Sequence, residues 1–87
     1  MSNPVFIDVR EPFEFMLGHV PGALNIPPAK LLAGEPKELK QLDRDAELIV
    51  YCLSGSRSTA SIPYIKQFGF TNITNGINKD QVKAKYF

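Results

Sequence analysis

The only cysteine of this chain lies in a short turn between two segments of different character. Cys52 follows the apolar run 47–51, which predicts a buried strand, and precedes residues 59–62, which predict the opening of a helix. Backbone N–H groups in such a turn point toward its centre, and the helix start adds about half a positive charge. A thiolate there is stabilised and its pKa is lowered. The pattern therefore predicts a nucleophile that is open to attack.

The residues that follow Cys52 have separate expected roles. Gly55 lets the chain curl tightly, at a positive φ if the turn needs one. Arg57 is expected to hydrogen-bond to loop carbonyls or to a carboxylate such as Asp8, and its charge favours the thiolate. Ser58 is expected to cap the helix or to donate its hydroxyl to the sulfur. The rim residues, which are expected to tune the choice of substrate, are Leu53, Ser54 and Ser56.

The length, composition and net charge limit the classes of protein to which this chain can belong. Eighty-seven residues predict one domain over 1–87, and a net charge of +1 with interspersed signs argues against nucleic-acid binding. There is no apolar run of the roughly 18 residues that a membrane span needs. No signal peptide is visible either, so we expect a cytoplasmic protein, or a periplasmic one if a leader was removed. One cysteine excludes an internal disulfide, and one cysteine with one histidine leaves no structural zinc site.

Short apolar segments alternate with helical patterns along the chain. The predicted strands are 5–9, 24–26, 48–51 and 70–74, and the predicted helices are 11–17, 29–32, 36–42 and the segment from the turn to about 68. Pro63 is expected to kink the last of these helices. The sequence predicts a loop at 75–78, and residues 79–87 receive no assignment.

This alternation predicts an α/β fold, a small parallel sheet flanked by helices on both faces. In such sheets the functional crevice lies at the carboxyl edge of the strands. Cys52, Asp8 and Arg10 all follow or end a predicted strand, so they meet at that edge.

The other polar residues have structural interpretations. His19 lies in a turn and is expected to satisfy backbone groups rather than to shuttle protons. Asp8 and Arg10 are expected to form an ion pair that ties the first strand to neighbouring backbone, because a buried carboxylate needs a partner. The functional alternatives are that Arg10 adds positive potential near the sulfur, or that Asp8 orients Arg57. The aromatic residues expected in the core are Tyr51, Tyr64 and Phe68.

Four segments, in order and at compatible spacing, resemble a rhodanese-type sulfurtransferase domain. They are 7–12, 18–27, 50–58 and 68–73. The size and early first strand are most similar to the single-domain, phage-shock-type thiosulfate sulfurtransferases of bacteria. The chain departs from that pattern after the last predicted strand, where it has residues 75–77 and no tryptophan in place of a glycine pair and a tryptophan. The element that usually precedes the first strand is also missing.

The resemblance implies that thiosulfate gives its outer sulfur to Cys52 and that a thiol or cyanide then accepts it from the persulfide. Each step is an exchange at divalent sulfur, so an ionised Cys52 needs no general base. We expect no cofactor and no metal. Two alternatives stay open: a carrier that passes its persulfide to a protein partner, and a binding module without activity. A phosphatase is disfavoured, because only four residues separate Cys52 from Arg57, one fewer than in phosphatases of this fold.

Overall fold

The computed structural model describes residues 3–87 and contains four strands and five helices in that range. The strands are β1 (Val5–Asp8), β2 (Leu24–Asn25), β3 (Leu48–Cys52) and β4 (Ile73–Asn78). The helices are α1 (Pro12–Met16), α2 (Pro28–Leu32), α3 (Lys37–Lys40), α4 (Ser56–Gln67) and α5 (Lys79–Tyr86). All strand pairs are parallel, in the order β2-β1-β3-β4. The predicted α/β fold is confirmed.

The central strand, β3, is buried along its whole length and leads directly to Cys52. It pairs with β1 on one side and with β4 on the other. On one face of the sheet Val50 packs in a cluster with Ile65 of α4, and on the other Ile49 packs with Val82 of α5. Helices therefore cover both faces, which explains why this strand is apolar at every position. Each fully buried aliphatic side chain contributes about 1.5–3 kcal/mol to folding.

The last strand differs from its prediction because it contains a β-bulge. It begins at Ile73 rather than at residue 70, and it includes 75–78, which were predicted as loop. Val50 lies opposite Asn75, but Tyr51 lies opposite Ile77, so Gly76 is the extra residue. The polar, glycine-containing sequence gave no alternation of apolar residues, and pairing with β3 supplies the stability that the local sequence lacks.

The segment 79–87, which the sequence left unassigned, forms helix α5 apart from its last residue. Asn78 caps this helix, because its side-chain oxygen accepts a hydrogen bond from the N–H of Gln81 at 2.8 Å. Val82 is the buried residue that attaches the helix to the sheet. Helix α4 runs through Pro63 as one continuous element. Within residues 3–87, no helix is long and apolar enough to cross a membrane.

Candidate active site

Cys52 is the last residue of β3, and the loop that follows it wraps around its sulfur. The N–H of Gly55 lies 3.0 Å from Sγ, and the N–H of Ser58 lies 3.4 Å from it. The hydroxyl oxygen of Ser58 lies 3.6 Å from the same atom. The sulfur is thus surrounded by main-chain donors from the loop and from the first turn of α4.

Gly55 makes this wrapping possible. It precedes α4 with φ +97° and ψ −14°, a backbone conformation that side chains disfavour. A methyl group at this position would also lie 3.4 Å from Cγ2 of Ile77 in β4. The backbone angle therefore favours a glycine, whereas the contact with Ile77 is an ordinary van der Waals distance. The positive φ that the sequence allowed is observed.

Two opposing effects set the acidity of Cys52. Burial raises the pKa of its thiol, since a charge is less well solvated inside the protein. Hydrogen bonds from the N–H and hydroxyl of Ser58, and from the N–H groups of Gly55 and Ser54, favour the thiolate. The hydrogen bonds prevail, and the pKa of Cys52 is lowered.

The expectation that Cys52 is open to solvent is wrong. The residue is 2% exposed, because the loop that donates hydrogen bonds to the sulfur also covers it. The rim around it is accessible: Leu53 is 64% exposed, and Ser54 and Ser56 are exposed as well. A reactant that approaches this edge of the sheet therefore first meets the rim residues.

Arg57 binds Glu14 rather than Asp8 or a loop carbonyl. Its Nη1 and Nη2 donate to the two carboxylate oxygens of Glu14, at 2.6 and 3.0 Å. This bidentate pair joins α4 to α1 and, with the N–H of Glu11, lowers the pKa of Glu14 to about 2. The sequence did not indicate Glu14 as a site residue, because 43 positions separate it from Arg57 and the local pattern explains it as a helix-start residue.

Asp8 and Arg10 form the structural ion pair that the sequence predicted. Nη2 of Arg10 lies 2.7 Å from a carboxylate oxygen of Asp8 and also donates to the carbonyl oxygen of Gly18 at 2.7 Å. Both side chains are buried, so each supplies the partner that the other needs. The alternative that Asp8 orients Arg57 is wrong, since Arg57 is held by Glu14.

His19 and the aromatic residues are explained by packing, with one exception. The Nδ1 of His19 lies 2.8 Å from the carbonyl oxygen of Phe15, and the two rings stack at 3.6 Å between centroids. Tyr51 is buried, and its hydroxyl accepts a hydrogen bond from the N–H of Val20. Phe68 packs against the core. The prediction of a core position was wrong for Tyr64, which is 38% exposed and lines a cavity of about 220 Å³ beside Arg57.

Asn75 is a site residue that sequence reasoning missed. Its side chain hydrogen-bonds to Ser58, which in turn contacts the sulfur. A predicted loop position gave no reason to connect it with Cys52. The departure from the family pattern at residues 75–77 was the available signal, because it placed unusual residues directly after the last predicted strand.

The model of the Rhodanese-like domain family matches residues 1–79. The chain belongs to the Rhodanese-like domain family. Among curated proteins, a sulfurtransferase of Allochromatium vinosum is 30% identical over 74 residues, which cover 85% of this rhodanese-like domain and 65% of that protein. A tRNA uridine(34) hydroxylase of Citrobacter koseri is 35% identical over 73 residues, which cover 82% of the domain and 21% of that protein. The domain thus spans less than two thirds of each of these relatives.

Solved structures share the fold of this rhodanese-like domain. A rhodanese from E. coli, solved with anions, has a TM-score of 0.76 and 26% identity, with 91% of each chain covered. A rhodanese-related protein from Thermoplasma volcanium has a TM-score of 0.70 and 31% identity, with 97% of this chain and 81% of that chain covered. A single-domain sulfurtransferase of Saccharomyces cerevisiae has a TM-score of 0.66 and 28% identity, over 94% and 75% of the two chains.

Proposed function

We propose that this rhodanese-like domain is a sulfurtransferase that carries a sulfane sulfur as a persulfide on Cys52. The observation that carries the proposal is the pair of main-chain N–H groups, from Gly55 and Ser58, that lie 3.0 and 3.4 Å from Sγ. They favour the thiolate without a separate base. The sulfurtransferases among the relatives support the same class of activity.

The proposed donor is thiosulfate. The Cys52 thiolate attacks the outer sulfur, the sulfur–sulfur bond of thiosulfate breaks, and sulfite leaves with the bonding electrons. One thiolate and one thiosulfate dianion become one persulfide anion and one sulfite dianion, so the charge balances. Donors that are already oriented around Sγ stabilise charge near this position without further reorganisation.

The proposed acceptor is cyanide or a thiol. The acceptor attacks the outer sulfur of the persulfide, and the Cys52 thiolate leaves in the form that started the cycle. With cyanide the product is thiocyanate, and with a thiolate it is a new persulfide. A protein that presents a cysteine differs from a small thiol only in this second step, so the carrier alternative shares the first step.

The side chains near the sulfur have separate roles in the proposed sulfur transfer. Leu53, Ser54 and Ser56 form the exposed rim, and we propose that they select the donor. Arg57 contributes positive charge and holds the loop to α1 through Glu14. Asp8 and Arg10 support the end of β1 and take no part in the chemistry. We propose a cytoplasmic location, which remains a prediction from the sequence.

Mass spectrometry after incubation with thiosulfate tests the first step. We expect one extra sulfur atom on the peptide that contains Cys52, and its removal by cyanide with formation of thiocyanate. The Cys52→Ser variant, shown to be folded by circular dichroism, is the control and should gain no sulfur. Equal loading of this variant, or no loading of the unaltered protein, would refute the proposal.

Hydrolysis of an aryl phosphate tests the phosphatase alternative. The short loop argues against it, because four residues between Cys52 and Arg57 form a smaller ring of donors than a tetrahedral phosphate needs. We expect hydrolysis far slower than sulfur transfer from thiosulfate. A comparable rate would reverse this ranking.

A further inference from the structure

Asn75 of β4 lies behind Ser58, on the wall of the site. Its Oδ1 is 2.7 Å from the hydroxyl oxygen of Ser58 and 3.0 Å from the backbone nitrogen of Ile77. Because the N–H of Ile77 can only donate, the atom that faces it must be the amide oxygen rather than the amide nitrogen. The amide nitrogen then donates to Oγ1 of Thr59 at 3.0 Å, which agrees with this orientation because the Thr59 hydroxyl gives its own proton to the carbonyl of Gly55.

The hydroxyl of Ser58 has one proton and three neighbouring acceptors. The oxygen of Asn75 is 2.7 Å away, the carbonyl oxygen of Gly55 is 3.0 Å away, and Cys52 Sγ is 3.6 Å away. The shortest contact takes the proton while the sulfur is uncharged. A lone pair of the hydroxyl then remains to accept from the S–H of Cys52, so this arrangement favours the thiol.

The hydroxyl proton of Ser58 can rotate toward Sγ, because the oxygens of Asn75 and Gly55 each accept another hydrogen bond. The carbonyl of Gly55 also accepts from the N–H and the hydroxyl of Thr59, at 2.9 and 2.7 Å. The oxygen of Asn75 also accepts from the N–H of Ile77. When the sulfur becomes an anion, a charge-assisted hydrogen bond draws the hydroxyl to it, and no buried oxygen loses its last partner.

We infer that Asn75 is a positioning residue that holds the Ser58 proton while Sγ of Cys52 is uncharged and releases it when Sγ becomes an anion. The inference rests on the proposed sulfur transfer. In that cycle Sγ carries the charge before it attacks the donor and again when it leaves the persulfide. Between these steps the charge lies on the outer sulfur, and the proton of Ser58 returns to Asn75.

Charged groups of several elements lie around this end of β3. The charge of Arg57 of α4 interacts with Cys52, and the carboxylates of Glu14 and Glu11 partly compensate it. The pairs contributed by the neighbouring elements are Asp8 with Arg10, Lys30 with Glu38, and Lys79 with Asp80. An uncharged substitution at Asn75 leaves these pairs intact, so a change in the ionisation of Cys52 in such a variant reports on the Ser58 proton.

The rate of alkylation by iodoacetamide, measured as a function of pH, tests the inference without any sulfur donor. Asn75→Leu removes the competing acceptor and keeps the number and branching of the side-chain heavy atoms, so the profile should move to lower pH. Below the midpoint the rate should rise about three- to tenfold, the equivalent of one hydrogen bond. Asn75→Asp is a stronger acceptor and adds a negative charge, so its profile should move to higher pH.

Two further variants distinguish the movement of the Ser58 proton from a general disturbance of the structure. In a Ser58→Ala background, Asn75→Leu should leave the profile where Ser58→Ala alone places it. Asn78→Leu is the matched control, because it also removes an asparagine from β4 and costs a helix cap, but its profile should not move. An unchanged or higher-pH profile for Asn75→Leu, or a shift that persists without Ser58, overturns the inference. Sulfur loading of the unaltered protein is scored separately and tests only the proposed function.

Discussion

The hydrogen-bond donors to Cys52 Sγ belong mostly to the main chain, so the neighbouring side chains differ in how much they affect the sulfur. Gly55 and Ser58 contribute N–H groups, and these depend on the path of the loop rather than on side-chain identity. Arg57 fixes that path through its bidentate pair with Glu14. His19 binds the backbone carbonyl of Phe15, near the end of α1. The residue that holds the loop should therefore influence the chemistry more than the histidine does.

Arg57→Ala should lower the rate of sulfur transfer more than His19→Ala. Loss of a charged hydrogen-bonded pair costs about 1.5–3 kcal/mol, which corresponds to roughly a ten- to hundredfold loss if the loop geometry carries the whole effect. His19→Ala removes one hydrogen bond and should cost about 1 kcal/mol of stability with turnover retained. Steady-state rates with thiosulfate and cyanide, alongside urea unfolding, provide the comparison. The reverse order would mean that the histidine has a catalytic role.

At the scale of secondary structure, the bulge in β4 determines how α5 packs. A methyl group on Gly76 would lie 2.6 Å from Cγ2 of Val82 and 3.0 Å from Cγ2 of Ile49. The extra residue thus brings the backbone of β4 against both the central strand and the last helix. A bulge without a glycine at this point could not place α5 so close to the sheet.

Gly76→Ala should destabilise the fold by about 1–3 kcal/mol through overpacking. The effect should appear as a lower urea midpoint with an unchanged slope. Gly22→Ala is a useful comparison, because a methyl group there meets nothing within 4 Å and its cost comes from the backbone angle, φ +80°, alone. If Gly76→Ala were no more destabilising than Gly22→Ala, the close packing of α5 against the sheet would contribute little to the free energy of unfolding.

The pair that joins α1 to α4 should make stability depend on acid pH. The pKa of Glu14 is lowered from 4.5 to about 2 by the guanidinium of Arg57 and the N–H of Glu11. Below pH 4.5 the unfolded chain binds a proton that the folded chain does not, so this contribution is present above pH 4.5 and is lost as the pH falls toward 2. The difference in melting temperature between the unaltered protein and Glu14→Gln should shrink over that range. A constant difference would show that the pair does not stabilise the fold.

At the scale of the molecule, the sequence predicted features that depend on local patterns and missed those that depend on pairing. The parallel sheet, the turn at Cys52 and the positive φ of Gly55 follow from apolar runs and a glycine. The strand at 75–78 and helix α5 do not, because a central strand and one buried valine stabilise them from a distance. The contact between Glu14 and Arg57 was missed for the same reason: no linear motif marks which carboxylate a distant arginine will meet.

The burial of Cys52 also bears on what happens when the protein is oxidised. A disulfide between two copies of the chain would need their sulfur atoms about 2 Å apart. Each sulfur lies beneath its own loop, at 2% exposure, and the chain contains no second cysteine to mediate an exchange. With the loops in this conformation, two folded copies cannot bring their sulfur atoms to that distance. The loop that covers Cys52 therefore also protects the protein from being joined covalently to another copy of itself.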